Sequence, residues 1–382
     1  MKTIFKHFFR LSVAVFAATN SDAQSNSDIV WATNAHSEIV SGVAFSADST
    51  RVCSGSPDHY WNVWTVPSGA LVRAQYLLNE SISSIALSSN GTLLVTGTDD
   101  AHIRMRQVSD GTIQWQNAPG DQIINSISFS HDDARVVDAR SNFGQLIVHN
   151  AGNGLGVVLE GGSETSGIQS AAFAPDDTLV ASADGDRTAK LWRVSDQALL
   201  QTFIGHSNAL GSVDFSPDGR LLATAGADGT ARIWNVTNAE QLIVMDGGGG
   251  TAKFTADGKY LFTLNDGTFK VWRVSTGAGV GSITNTGATT FDIAKNGKYF
   301  AYGTGSGAVV LARMPVVLDS ITRTGNQTIL HWQGGTGLYQ LQSRTNLSVG
   351  SWENIGTTTT NTVATNVNSS TLFFRVQSLP QP

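Results

Sequence analysis

Two sets of side chains have the residue types of a hydrolytic triad. They are His36, Ser54 and Asp58 in the first set, and His206, Thr224 and Asp228 in the second. A hydroxyl, an imidazole and a carboxylate in mutual contact could act as nucleophile, general base and orienting group in acyl transfer. The spacing is the same in both sets, so one recurring structural element must position them.

That element is an internal repeat. A segment that runs from Phe215 through Thr224 and Asp228 to Trp234 recurs along the chain, closely in three other copies and weakly in three more. The seven copies reach their equivalent last positions at Trp64, Arg106, Val148, Trp192, Trp234, Trp272 and Ala312. Short alternating runs broken by Asp-Gly, Asn-Gly or Ser-Gly predict four strands in each copy. Seven four-stranded units of about 40 residues predict an all-β propeller.

A propeller ring has one seam, and both ends of the repeat region are placed to close it. Ile29-Val30-Trp31 precedes the first inner strand, and the seventh copy stops near Met314. We therefore expect residues 29–31 to supply the outer strand of the seventh unit. Truncation before Ala32 should open the seam and destabilise the propeller.

Residues 29–314 resemble a seven-bladed WD-repeat propeller. The fifth copy carries the resemblance best, with Gly205-His206, Asp228 and Ile233-Trp234-Asn235. Trp192-Arg193 and Trp272-Arg273 add to it, although no copy ends in the Trp-Asp pair of the family.

The resemblance implies a structural role for the two triad-like sets. In the family, a buried hydrogen-bond relay runs from Trp through Ser or Thr and His to the turn Asp. The matching residues here are His36, Ser54, Asp58 and Trp64, then His206, Thr224, Asp228 and Trp234. A hydroxyl bonded to a packed indole has no open oxyanion site beside it, so we expect no catalytic residue in either set.

Metal and cofactor motifs are missing from the sequence. The eight His are isolated, Cys53 is the single Cys, and there is no His-Glu-x-x-His or calcium-loop pattern. The run Gly247 to Gly250 lacks the Lys-Ser or Lys-Thr of a phosphate-binding loop and predicts a tight entry into the sixth blade. We expect no cofactor and no bound metal.

The first 23 residues have the organisation of a secretory signal peptide. A cationic segment up to Arg10 precedes the apolar run Leu11 to Ala18, and small residues stand at Ser21 and Ala23. Without this segment, 21 of the 24 Lys and Arg and 29 of the 30 Asp and Glu remain, giving a net charge near −8. Sparse cations argue against a nucleic-acid partner, and no later run is long enough for a transmembrane segment. We expect export to the periplasm, cell surface or medium of a bacterium.

The composition changes after Met314. Thr, Asn, Gln and Ser dominate residues 315–382, in which six alternating runs predict a small β-sandwich. The runs at Ile329 to Trp332, Tyr339 to Gln342 and Phe373 to Val376 resemble a fibronectin type III-like or Ig-like module. The predicted organisation is a signal peptide over 1–23, a propeller over 24–314 and a sandwich over 315–382. The resemblance implies a spacer or surface attachment as the role of the last module.

One mouth of the propeller channel is the expected contact face. We call it the upper face, since the loops that join each outer strand to the next inner strand meet there. The residues predicted to contact a protein or peptide partner are Glu38, Glu80, Gln122, Asn208, Tyr60 and Trp61. Trp61 alternates with the core residue Val63, so packing against a neighbouring blade is its alternative role.

These observations favour an exported, non-enzymatic binding or scaffold protein. The main alternative is an exported propeller hydrolase of the lactonase-like kind, with a metal site in the central channel. A bound divalent ion in stoichiometric amount would favour that enzyme. A purely architectural envelope component is the third possibility.

Overall fold

The computed structural model describes residues 28–117, 122–141, 144–159 and 167–315, followed by six strands between residues 317 and 378. The predicted signal peptide lies outside these residues. Among them there is no helix with the length and apolar character needed to cross a membrane. The propeller strands are β1 (Ile29–Asn34), β2 (Gly42–Phe45), β3 (Arg51–Gly55), β4 (Tyr60–Thr65), β5 (Leu71–Tyr76), β6 (Ile82–Leu87), β7 (Leu93–Thr98), β8 (Ile103–Gln107), β9 (Ile113–Asn117), β10 (Ile124–Phe129), β11 (Arg135–Arg140), β12 (Leu146–Asn150), β13 (Gly156–Leu159), β14 (Ile168–Phe173), β15 (Leu179–Asp184), β16 (Thr188–Arg193), β17 (Leu199–Ile204), β18 (Leu210–Phe215), β19 (Leu221–Gly226), β20 (Thr230–Asn235), β21 (Gln241–Asp246), β22 (Thr251–Phe254), β23 (Tyr260–Asn265), β24 (Thr268–Arg273), β25 (Ala278–Ile283), β26 (Ala288–Ile293), β27 (Tyr299–Thr304) and β28 (Ala308–Arg313).

These strands form seven antiparallel sheets of four strands each. Blade 1 is β2 to β5, and each following group of four consecutive strands forms the next blade up to blade 6. Blade 7 has the order β26, β27, β28 and β1. The predicted all-β, seven-bladed propeller is confirmed.

The seam closes through β1, as the sequence predicts. β1 pairs with β28 in antiparallel register from Ile29 opposite Ala312 to Asn34 opposite Ala308. The amide of Arg313 also donates to the carbonyl of Asp28 at 2.8 Å. The first strand of the chain thus completes the last blade.

Apolar side chains fill the spaces between neighbouring blades. Between blades 4 and 5, Phe203 and Ala181 pack with Phe215 and Trp234 in one buried cluster. Burial of such large side chains contributes about 1.5–3 kcal/mol each. The sheets cover each other's faces, and the blades depend on one another for stability.

Close approach between blades requires a glycine near the end of the second strand in blades 1 and 2. A Cβ atom added at Gly55 would lie 2.7 Å from Cγ2 of Ile82 in the next blade, and one added at Gly97 would lie 2.6 Å from Cγ2 of Ile124. Such distances are too short for a side chain, so glycine lets the branched residue of the next blade pack against the backbone.

Cys53 lies in this packed region. It is fully buried on β3, and burial raises the pKa of its thiol well above the usual range. The side chain therefore packs as a small apolar group.

The chain divides after Met314 into a second compact unit. Its strands are β29 (Val317–Thr324), β30 (Gln327–Gln333), β31 (Tyr339–Arg344), β32 (Glu353–Thr358), β33 (Thr362–Asn366) and β34 (Phe373–Ser378). They form two three-stranded antiparallel sheets, in the orders β29-β30-β33 and β32-β31-β34. Trp332 and Leu341, one from each sheet, are buried. The packing of the two sheets as a fibronectin type III-like sandwich stays a prediction.

Candidate functional site

The second triad-like set forms a continuous hydrogen-bond line in blade 5. The indole N–H of Trp234 donates to Oγ1 of Thr224 at 2.8 Å, and that hydroxyl lies 2.8 Å from Nε2 of His206. The other ring nitrogen, Nδ1, lies 2.9 Å from a carboxylate oxygen of Asp228. A neutral imidazole that donates from Nδ1 to Asp228 and accepts the threonine proton at Nε2 satisfies every group.

Burial and hydrogen bonding set the charges along this line. Burial lowers the pKa of His206, and it outweighs the opposing effect of the Asp228 carboxylate. For Asp228, burial alone would raise the pKa, but bonds from the amides of Ser207 and Thr230 and from the Thr230 hydroxyl lower it to about 2. The line therefore contains a neutral His206 that is hydrogen-bonded to an ionised Asp228.

The first set has the same centre in blade 1. Nε2 of His36 lies 2.7 Å from Oγ of Ser54, and Nδ1 lies 3.0 Å from a carboxylate oxygen of Asp58. Burial lowers the pKa of His36. Trp64 is buried in the same blade and packs against Trp31, with ring centroids 5.7 Å apart.

Neither set has the access that hydrolysis requires. The hydroxyl-bearing residues Ser54 and Thr224 are both 0% exposed. In acyl transfer, the substrate carbonyl carbon must lie about 3 Å from the nucleophilic hydroxyl oxygen. A substrate carbonyl cannot reach that position when the hydroxyl is enclosed between blades and already hydrogen-bonded. The geometry fits a structural relay that orders the upper-face loops.

In blade 2 an ion pair takes the place of this relay. Arg106, at the position of Trp234, donates to the carboxylate of Glu80 at 2.8 Å and to Oγ1 of Thr96 at 3.1 Å. Its side chain is 2% exposed, and Arg104 also approaches the same carboxylate. Burial lowers the pKa of Arg106, and Glu80 opposes that effect. The carboxylate of Glu80 is thus paired within the protein, and its role as a partner contact stays a prediction.

Blade 3 contains a buried network that the sequence analysis did not anticipate. Asp138 occupies the position of Thr224, and its carboxylate accepts from Arg140 at 2.8 Å and lies 2.9 Å from Nε2 of His149. The three side chains are 0% exposed. Burial alone would raise the pKa of Asp138, but the bonds from His149 and Arg140 lower it. The signal in the sequence was Asp138, an acidic residue at the position where the relay has Ser54 or Thr224.

The other predicted contact residues divide by exposure. Glu38 and Asn208 are exposed, and Tyr60 is 39% exposed. Gln122 is 8% exposed, and its amide lies 3.4 Å from the side-chain oxygen of Gln145. Trp61 is fully buried and packs in the core between blades 1 and 2, so its predicted contact role is wrong and the alternative packing role is correct.

Four exposed aromatic or aliphatic side chains and one exposed carboxylate lie on the upper face of blade 1. We call this set the tyrosine patch: Glu38, Ile39, Tyr60, Tyr76 and Leu78. The loops before β2 and after β5 and the turn between β3 and β4 lie on one face, because antiparallel strands alternate in direction. The exposed fraction is 76% for Leu78 and 50% for Tyr76. The sequence analysis found Tyr60 and Glu38 but not the other three.

The relay aspartate of blade 1 holds the tyrosine patch together. Asp58 accepts from the amide of Ser37, next to Glu38, and from the amide of Tyr60. The rings of Tyr60 and Tyr76 lie 5.2 Å apart, and the amide of Leu77 donates to the carbonyl of His59. The patch is therefore a preorganised surface rather than a set of free loop ends.

The described residues contain no cluster of three or more His, Cys, Asp or Glu side chains arranged to hold a metal ion.

Comparison with known proteins agrees with the architecture. The model of the WD domain, G-beta repeat, matches residues 28–65, 75–106, 156–193 and 197–235. The chain is 34% identical over 91 residues to WD repeat-containing protein 1 of Bos taurus and of Rattus norvegicus, and 33% identical to that of Gallus gallus. Each match covers 23% of this chain and 15% of the relative, so the chain spans less than a sixth of those proteins. With seven four-stranded blades closed through β1, the chain is a seven-bladed β-propeller that contains WD40 repeats at the four matched segments.

Proposed function

We propose that the protein is an exported, non-enzymatic binding protein whose tyrosine patch takes a segment of a protein partner. WD40 propellers are typical of protein-interaction scaffolds. The observation that carries the proposal is the exposed cluster of Tyr60, Tyr76, Leu78 and Ile39 on a face that the relay holds rigid.

The chemistry of the patch suggests the kind of segment that it binds. Tyrosine side chains supply large contact areas with little loss of conformational entropy, and they are enriched at binding hot spots. Glu38 adds an exposed carboxylate beside the apolar side chains. A segment with an apolar anchor next to Lys or Arg would bury the anchor on the tyrosines and pair its cation with Glu38.

Export is part of the proposal and is supported by the order of residues 1–23. The C-terminal unit would serve as a spacer or attach the protein to a surface. A reporter enzyme that is active only outside the cytoplasm, fused after Met314 with and without residues 1–23, tests export. Activity that does not depend on residues 1–23 would refute it.

Affinity capture with matched variants tests the binding role. The bait is the mature chain, compared with the triple variant Tyr60→Ser, Tyr76→Ser and Leu78→Ser. A control variant removes three exposed apolar side chains from outer strands, Leu71→Ser, Leu199→Ser and Leu242→Ser, so that loss of exposed hydrophobicity alone is accounted for.

A captured protein is then identified, purified and titrated against each bait. We expect the triple variant of the tyrosine patch to bind at least tenfold more weakly than the unchanged chain. The outer-strand control variant should bind within twofold of the unchanged chain. Equal binding by the patch variant, or loss of binding by the outer-strand control variant, would show that the binding site is not the tyrosine patch.

A further inference from the structure

The seven inner strands surround a central channel that the binding role proposed for the upper face does not use. The inner strands are β2, β6, β10, β14, β18, β22 and β26, and the channel between them has a volume of about 410 Å³. Pockets for small molecules have volumes of the same order.

Within the inner strands, charged side chains occupy only one side of this channel. They stand at the penultimate residue of the inner strand, which is Asp214 in blade 5, Lys253 in blade 6 and Asp292 in blade 7. In blades 1 to 4 the same position holds small neutral residues, which are Ala44, Ala86, Ser128 and Ala172. The channel is therefore asymmetric, with an arc of alternating charges facing a side where small side chains leave room.

Hydroxyl groups from six of the seven blades form a ring next to this arc, and blade 1 has a glycine there. Two residues before the charged position, the seven inner strands carry Gly42, Ser84, Ser126, Ser170, Ser212, Thr251 and Thr290. Residues two apart on a strand point to the same side, so both rings face the channel. Oγ of Ser84 accepts the amide of Ile127 at 3.0 Å, and Oγ of Ser212 accepts that of Ala252 at 2.7 Å. The hydroxyl proton of each serine is left to be donated to another group.

Two of the charges in the arc compensate each other. Oδ1 of Asp292 lies 3.5 Å from Nζ of Lys253, and Oδ2 of Asp292 accepts the amide of Phe45 at 2.8 Å. Both carboxylate oxygens of Asp292 are thus engaged.

Asp214 is less completely satisfied. Its Oδ2 accepts the amide of Phe254 at 2.8 Å, and Oδ1 makes no hydrogen bond to the described residues. Burial raises the pKa of Asp214, and the charges of Lys253 and Lys295 only partly oppose it. Lys295 is exposed, so solvent and salt weaken its effect.

Asp214 is partly exposed in the channel, and its Oδ2 links blades 5 and 6 through the amide of Phe254. Ser84 and Ser212 link neighbouring blades by accepting an amide proton with a neutral hydroxyl, so this link does not need a charge. A carboxylate that is partly withdrawn from water costs free energy unless both of its oxygens are paired, whereas a hydroxyl costs much less.

We propose that the channel binds a small hydroxylated amine, with its ammonium group on Asp214 and its hydroxyl groups on the serine and threonine ring. Apart from His131, the charged residues that line the channel are Asp133, Asp214, Asp292, Lys253 and Lys295, with a formal net charge of −1 that one further ammonium group neutralises. The small side chains of blades 1 to 4 leave space for the rest of the molecule.

Three probes of similar size separate the possible sources of affinity. Ethanolamine has an ammonium and a hydroxyl group, ethylene glycol has only hydroxyls, and glycolate has a carboxylate and a hydroxyl. Each is titrated into the mature protein and followed by saturation-transfer NMR of the probe. We expect ethanolamine to bind at least tenfold more tightly than the other two.

Two matched substitutions locate the ammonium group. Asp214→Asn keeps an acceptor for the amide of Phe254 but removes the charge, and it should weaken ethanolamine binding at least tenfold. Asp218→Asn makes the same change four residues later, in a turn outside the channel lining, and should leave binding within twofold. Thermal melting of both variants verifies that they are folded.

Three outcomes would overturn the proposal. They are the absence of ethanolamine binding to the unchanged protein, equal or tighter binding of ethylene glycol or glycolate, and unchanged ethanolamine binding by a folded Asp214→Asn variant. The tyrosine patch is not involved in any of these measurements, so the result is independent of the upper-face proposal.

Discussion

Deletion of β1 should cost the propeller much of its stability. The change is a chain that begins at Ala35, compared with chains that begin at Gln24 and at Asp28. The Asp28 chain is the control, because it removes residues before the strand but keeps the bond from Arg313 to the carbonyl of Asp28. All three chains run to residue 382.

The magnitude follows from the contacts that β1 makes. The strand forms five register pairs with β28, and a backbone hydrogen bond contributes about 0.5–1.5 kcal/mol. Val30 and Trp31 pack against the core of the seam and are half-buried. Each therefore contributes roughly half of the 1.5–3 kcal/mol that full burial of such a side chain provides. The sum is about 4–10 kcal/mol, which is comparable to the free energy of unfolding of a whole domain.

Urea unfolding followed by tryptophan fluorescence and circular dichroism measures the effect. We expect the Asp28 chain to unfold like the Gln24 chain, and the Ala35 chain to lose its cooperative transition or to unfold at far lower urea. A free energy of unfolding within about 1 kcal/mol of the control would refute the contribution worked out from these contacts.

Three further predictions concern the buried polar groups. His206→Ala should lower the free energy of unfolding by about 1–3 kcal/mol, because the Thr224 hydroxyl loses its acceptor and Asp228 loses one of its donors. His102→Ala at a more exposed site should cost under about 0.5 kcal/mol, and equal losses in urea unfolding would contradict the relay. Because the pKa of Asp228 is depressed to about 2 from an unfolded value near 4, its stabilisation of about 2 kcal/mol should be present above pH 4 and disappear as the pH falls towards 2. Asp228→Asn compared with the unchanged protein at pH 7 and pH 2.5 tests this, and a difference that does not shrink at the lower pH would refute the assignment. Glu80→Ala should lower the free energy of unfolding by about 3–5 kcal/mol, because it leaves the buried guanidinium of Arg106 without its carboxylate. Glu38→Ala should lower it by under about 0.5 kcal/mol. Similar melting temperatures of the two variants would contradict the buried pair.

The repeat alone was sufficient to predict the architecture. Equivalent positions from Trp64 to Ala312 recur at nearly constant spacing, and each unit must bury both faces against its neighbours, so the ring and its seam follow. The pairing of His206 with Thr224 and Asp228 was predicted as well, because the resemblance supplied the partners.

The replacements within single blades were not predicted. Arg106 stands where other copies have Trp, and a buried cation at that position requires a nearby carboxylate, which Glu80 supplies. Strand alternation with Val63 gave burial only as the alternative role of Trp61, and the structure shows that this alternative is correct. The exposure of Tyr76 and Leu78 depends on how the loop after β5 leaves the blade, which local sequence does not determine.

Photo-crosslinking in the native cell tests the central claim most directly. p-Benzoylphenylalanine replaces Tyr76 on the tyrosine patch in one variant and Leu199 on an outer strand in another, and products are compared after irradiation. We predict one dominant covalent product with a discrete protein from position 76 and none from position 199. A discrete product from position 199 with none from position 76 would contradict binding at the upper face.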